Sequence, residues 1–93
     1  MTEIDKARQL AQRALKTIDS NEEKEKLNVW IAWLNLENSY GSQESLLEVF
    51  NKSIQYNDQK TMHLKLAEIY ERSDNIEVLN IFLIFLLLFI FFY

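Results

Sequence analysis

The sequence predicts an all-α chain of antiparallel helical hairpins, on three observations. There is no proline and a single glycine in 93 residues, so the residues that punctuate β-hairpins, sandwiches and phosphate-cradling loops are missing. Apolar side chains recur at spacings of three and four, the period of a helix rather than a strand. Segments with one apolar face alternate with segments apolar on two faces, the pattern of a helix sandwiched between neighbours.

The first helix is predicted over residues 3–18, with Ile4, Ala7, Ala11, Ala14, Leu15 and Ile18 on one stripe. Its alanines suit close approach of a neighbour. Ser20 stands three residues before Glu23, the spacing of a capping box that opens a second helix over 21–40. That helix carries two stripes: Leu27, Trp30, Ile31 and Leu34 on one, and Val29, Trp33, Leu36 and Tyr40 on the other. Gly41 enters a left-handed C-terminal cap without steric cost, and Ser42 can cap the next helix. The third, over 43–56, presents Leu46, Val49, Phe50, Ser53 and Ile54 on one face, and Asn57 and Asp58 stop and restart the chain. The fourth has Met62, Leu66, Ile69 and Tyr70 as its main stripe, with His63 and Ala67 beside them, and closes at Ser73, Asp74 and Asn75. Asp74 and Glu77 repeat the capping-box spacing and announce a fifth helix.

Composition excludes several functions. With 14 acidic and 10 basic side chains, the net charge of −4 argues against a stand-alone nucleic-acid binder, because neutralising phosphates takes clustered Lys and Arg. The densest basic group, Lys6, Arg8, Arg13 and Lys16, is flanked by Glu3 and Asp5 and has no aromatic residue interleaved with it. It reads as a solvated face. Zero cysteine removes disulfides and thiolate metal sites and fits an intracellular chain. His63 is the only histidine and has no carboxylate pair at ligand spacing, so no metal and no cofactor are expected. The serines lie at helix ends or faces without a nucleophile-elbow context, and no enzyme activity is expected. Residues 1–20 are too charged for a cleavable signal peptide.

Sliding the first helix by 39 residues, or the second by 33, superposes apolar positions, as a repeat array would. The run W-I-A-W-L-N-L-E from Trp30 to Glu37 and the run A-R-Q-L-A-Q-R-A-L from Ala7 to Leu15 resemble the A and B helices of half-a-tetratricopeptide (HAT) repeats. Through L-A-E-I-Y at Leu66 to Tyr70 the likeness becomes more tetratricopeptide-like. The longer run K-L-N-V-W-I-A-W-L-N-L-E-N-S-Y-G-S-Q-E-S-L, from Lys26 to Leu46, resembles the C-terminal HAT region of the large rRNA biogenesis proteins that carry S1 RNA-binding domains, the programmed cell death protein eleven type. The resemblance implies a fragment of a HAT/TPR-like α-solenoid and a non-catalytic scaffold in pre-rRNA processing and small-subunit assembly. It also implies nuclear and nucleolar location, with proteins of pre-ribosomal particles as partners and RNA met indirectly.

Residues 1–77 are the expected repeat fragment, with Leu15, Trp30, Trp33, Leu34, Leu36, Tyr40, Phe50, Ile54, Leu66 and Tyr70 as its core. The two tryptophans are assigned to the packed centre rather than to a stacking platform. Glu37 ends the tryptophan stripe and is expected either to meet a basic residue of an adjacent helix, Arg13 or Lys52, or to be a solvated carboxylate. Every charged residue lies at or before Glu77, whereas residues 78–93 hold five of the six phenylalanines and one polar side chain, Asn80. As a helix this tail would reach ~24 Å, short of the roughly 30 Å hydrocarbon layer. Three readings stand: a non-repeat sequence from a truncated or alternatively spliced gene, a helix buried against another chain, or a marginal C-terminal anchor. The last would make the chain a small tail-anchored adaptor, the alternative to the scaffold.

Overall fold

The computed structural model describes residues 2–73 and, beyond them, residues 78, 80, 81, 83, 84, 87 and 88. Four helices follow in order: α1 (Glu3–Thr17), α2 (Glu23–Tyr40), α3 (Gln43–Tyr56) and α4 (Gln59–Arg72). Among the described residues there is no strand.

The helix starts are set by short polar side chains. Thr2 and Asp5 form a reciprocal capping box at α1, and Ser42 and Ser45 form one at α3. Asp58 accepts from the backbone N–H and hydroxyl of Thr61, both at 2.9 Å, at the start of α4. These bonds satisfy amides that the first helical turn leaves without partners.

The expected cap at Ser20 is not formed. The N-cap of α2 is Glu22, whose side chain makes no cap bond. The reason lies one residue before Ser20: Asp19 accepts from the Asn21 N–H at 3.2 Å, and its backbone carbonyl accepts from the Glu22 N–H at 2.9 Å. The connection is a turn built on Asp19, and α2 begins two residues later than the periodicity predicts. Gly41 also departs from expectation. Its φ of −93° and ψ of −161° are extended, not left-handed, so its role is to leave room rather than to reverse the chain.

The two-faced character of α2 finds its cause in the packing, for α2 touches α1, α3 and α4, and α3 touches α4. The backbones of α1 and α3 do not approach each other closely, so α2 is the shared centre. The buried core comprises Trp30, Trp33 and Leu34 of α2, Leu46, Val49 and Phe50 of α3, and Met62, Leu66, Ile69 and Tyr70 of α4. Ala11, Leu15, Leu27, Leu36, Ile54 and Val78 pack partly buried around it. α1 contributes no fully buried residue, as suits a one-faced helix at the edge.

Tyr40 does not belong to this core. It is 69% exposed because it is the last residue of α2, where the second stripe has run past the helices that cover Trp33. The tail residues that are described are helical, and Ile81, Leu83, Ile84, Leu87 and Leu88 are exposed. Among the described residues no helix is long and apolar enough to cross a membrane. The expected cap at Asp74 and Glu77 lies outside the described residues.

Candidate functional site

The most constrained polar group of the fold is built where the first turns of α1 meet the last turn of α2. Thr2, Asp5 and Arg8 follow at intervals of three, which places them along one edge of α1. The Thr2 hydroxyl donates to Asp5 Oδ2 at 2.8 Å, and Arg8 Nη1 donates to Asp5 Oδ1 at 3.3 Å. The Arg8 guanidinium then crosses to α2 as a fork, Nε to Glu37 Oε2 and Nη2 to Glu37 Oε1, both at 2.8 Å. Trp33, one turn before Glu37, donates its indole N–H to the same Oε2 at 3.0 Å.

Glu37 is a carboxylate with a side chain only 1% exposed, held by Arg8, whose side chain is 31% exposed. Burial alone would favour its neutral form. The Arg8 hydrogen bonds outweigh burial, with Ser45 and Trp33 adding to them, so its pKa lies below the usual value and the group is charged at neutral pH. Reciprocally, Glu37 raises the pKa of Arg8. The hydrogen bonds from Thr2 are the main cause holding Asp5 below its ordinary range, which keeps it anionic beside Arg8. α2 has no basic residue in its own last turn; Arg8 supplies from α1 the positive charge that a helix C-terminus favours.

Gly41 completes this enclosure. A Cβ there would fall on Glu37 Oε1 and stand 2.6 Å from Ser45 Oγ. The glycine is therefore required by the carboxylate beneath it.

The cation that reaches Glu37 is Arg8, not Arg13 or Lys52. In an antiparallel pair, the end of α2 lies against the beginning of α1. Arg13 is five residues further along α1, ~7.5 Å nearer the connecting turn and rotated by ~140° from Arg8; it is exposed, and among the described residues it forms no ion pair. The reading of Glu37 as a solvated carboxylate is likewise replaced by a buried one.

Beside this group lies an aromatic stack. Trp33 and Trp30 are parallel, with centroids 5.6 Å apart and planes 8° from each other, and Trp30 continues onto Tyr56 at 6.0 Å and 15°. The two indoles are 6% and 5% exposed, whereas Tyr56 is 75% exposed. Leu34, Phe50, Leu66 and Tyr70 are buried with the indoles, and Leu15, Leu36 and Ile54 are partly buried at the margin. Gln43 donates to the Tyr70 hydroxyl at 2.9 Å. His63 packs edge-on against Phe50 at 4.9 Å with a ring nitrogen 2.7 Å from the Gln59 carbonyl.

Sequence reasoning missed Arg8 and Tyr56. The 2-5-8 spacing of Thr, Asp and Arg was the available signal for Arg8. Nothing local marked Tyr56, because its ring partner lies on another helix.

The buried charge and the stack are means of fixing two helices in one register. Among the described residues every buried side-chain nitrogen or oxygen has a partner, and no three His, Asp or Glu residues gather as a metal site would require.

No family model matches the chain. It is 59% identical over 76 residues to the human protein RRP5 homolog, 47% over 76 residues to the rRNA biogenesis protein RRP5 of Arabidopsis thaliana, and 42% over 78 residues to that of Schizosaccharomyces pombe. These matches cover 82%, 80% and 84% of this chain, and 4%, 4% and 5% of the respective relatives. The chain thus spans a small part of the length of the proteins it resembles.

Proposed function

We propose that residues 1–77 are a non-catalytic helical-repeat segment of an rRNA biogenesis scaffold, acting through protein–protein contacts in pre-ribosomal particles of the nucleolus. The observation that carries this reading is the similarity, at 42% identity or more over about four fifths of the chain, to RRP5 proteins of an animal, a plant and a yeast. The packing supports the repeat character. A central helix shared by three others, with an edge helix that buries none of its residues fully, is how a slice of a stacked array looks. Leu47 and Leu64, exposed on α3 and α4, are positions that a further stacked helix would cover.

The mechanism is presentation of a rigid surface. The Arg8–Glu37 fork fixes α1 on α2, and the aromatic and aliphatic core fixes α2 on α3 and α4. Partner proteins then meet a preorganised array instead of ordering it themselves, which lowers the cost of association.

A tagged chain expressed in nucleolus-containing cells tests the proposal. Enrichment of pre-rRNA and early pre-ribosomal proteins with the tag, lost when Leu66→Ala loosens the core, is the expected outcome. A well-folded chain that recovers none of them, or one retained in the membrane pellet after carbonate extraction, overturns it.

A further inference from the structure

The helices α1 and α3 both rest on α2 with their backbones held apart, and the space between them is a groove of about 1280 Å³. Its floor is Leu27, Trp30 and Trp33. Four lysines line it: Lys16 from α1, Lys24 and Lys26 from α2, and Lys52 from α3. Lys16, the neighbouring Lys24 and Lys26, and Lys52 belong to three different helices, and the fold brings them to one groove. Among the described residues none of the four forms an ion pair, whereas Lys6, Arg8, Lys65 and Arg72 all do. The acidic lining residues are Glu23 and Asp58, two carboxylates against four ammonium groups. A chain of net charge −4 thus has a groove of the opposite sign.

Tyr56 stands on the wall of this groove. It is the outer member of the three-ring stack, with one side on Trp30 and the residue as a whole 75% exposed. Exposed aromatic faces beside lysines that track a backbone are the combination that single-stranded nucleic acid requires, since bases stack on the ring and phosphates meet the cations. An acidic peptide would satisfy the lysines equally but would leave the ring without a planar partner.

We infer that the groove between α1 and α3 binds a short single-stranded RNA segment, with a base stacked on Tyr56 and phosphates held by Lys16, Lys24, Lys26 and Lys52. This goes beyond the scaffold reading and does not depend on it. The sequence concealed the site because Lys16 reads with the basic group of α1, Lys24 and Lys26 stand among glutamates, and Tyr56 joins them only in the fold.

Fluorescence anisotropy of the full chain with labelled ten-nucleotide oligoadenylate and oligouridylate tests it. The expected result is binding that weakens steeply with salt, falls about tenfold in Tyr56→Ala, is kept in Tyr56→Phe, and falls at least as far in Lys16→Glu/Lys52→Glu. Lys60→Glu/Lys65→Glu, outside the groove, matches the net charge of the double lysine variant, and circular dichroism of each variant verifies its helicity. No binding by the folded chain overturns the inference. So does affinity for an oligoglutamate peptide or an abasic oligonucleotide equal to that for the RNA and indifferent to Tyr56→Ala, which would make the groove a general anion or acidic-peptide surface.

Discussion

Arg8 and Glu37, 29 residues apart in sequence, are joined by two hydrogen bonds of 2.8 Å each, a fork-to-carboxylate pair that spans the antiparallel α1–α2 contact. Such a pair is directional as well as charged, because both bonds form only in one register and rotation of the helices. Its place at the open end of the hairpin, away from the connecting turn, is where register would otherwise be least constrained.

Removing the guanidinium leaves a buried carboxylate with only Trp33 and Ser45 to hold it. Arg8→Ala should cost about 2–3 kcal/mol of stability, less than the full cost of breaking a buried pair because Arg8 is partly exposed. Arg13→Ala should stay within about 0.5 kcal/mol. Urea denaturation of both variants, with a double-mutant cycle on Arg8 and Glu37, checks the assignment. Coupling to Arg13 in place of Arg8 would contradict the geometry.

The depressed pKa of Glu37 fixes a sign for the pH dependence. Since the folded value lies below the ordinary 4.5, the pair's stabilisation is present above pH 4.5. It is lost as acidity increases through the lower folded value. Glu37→Gln, destabilised at neutral pH, should therefore show a shallower decline than the native chain on acidification from pH 5 to 3. Parallel declines would mean that Glu37 carries no such linkage.

Gly41→Ala should destabilise by about 1–2 kcal/mol through the collision of its Cβ with Glu37 Oε1. The backbone angles there suit alanine, so strain is not the source. The same change made in Glu37→Ala should cost less, because the carboxylate oxygen is gone and only the approach to Ser45 Oγ and the Glu37 carbonyl remains. Thermal melts of the four chains in this cycle decide it, and equal penalties in both backgrounds would place the cost elsewhere.

Most of the fold is legible in the sequence because helical periodicity, small caps and a two-faced stripe are local properties. Ser42, Asp58 and the stripes of α3 and α4 behave as their spacing says. What failed were properties settled between elements. Asp19 takes the turn expected of Ser20, since two polar residues compete for one set of amides. Gly41 looked like a left-handed cap, yet a carboxylate on α2 and a hydroxyl on α3 decide its need for no side chain. The partner of Glu37 depends on helix rotation, which a repeat pattern leaves open within a turn or more. The lysine groove depends on α1, α2 and α3 coming together, and whole-chain net charge hides it.

The indoles offer an optical check on the stack. With Trp30 and Trp33 only 6% and 5% exposed, acrylamide should quench their emission weakly in the native chain. Tyr56→Ala uncovers one face of Trp30, so quenching should rise there while helicity holds, and Trp33 should be unaffected in a Trp30→Phe background. Free quenching of both indoles in the folded native chain would contradict the sealed core.

Tyr70 provides the opposite limit to acid. Its ring is 1% exposed, and burial pushes its phenol above the usual value of 10.0, only partly offset by the hydrogen bond from Gln43. A folded pKa above the unfolded one means that stability is intact below pH 10 and declines as the pH rises past it, because the unfolded chain releases the phenolic proton first. Tyr70→Phe keeps the buried ring and discards the proton, while Gln43, exposed at the surface, can turn to water. The variant should match the native chain near pH 7 to within about 1 kcal/mol and outlast it in alkaline unfolding above pH 10. If both chains unfold along the same curve, the linkage lies in other groups and Tyr70 serves packing alone.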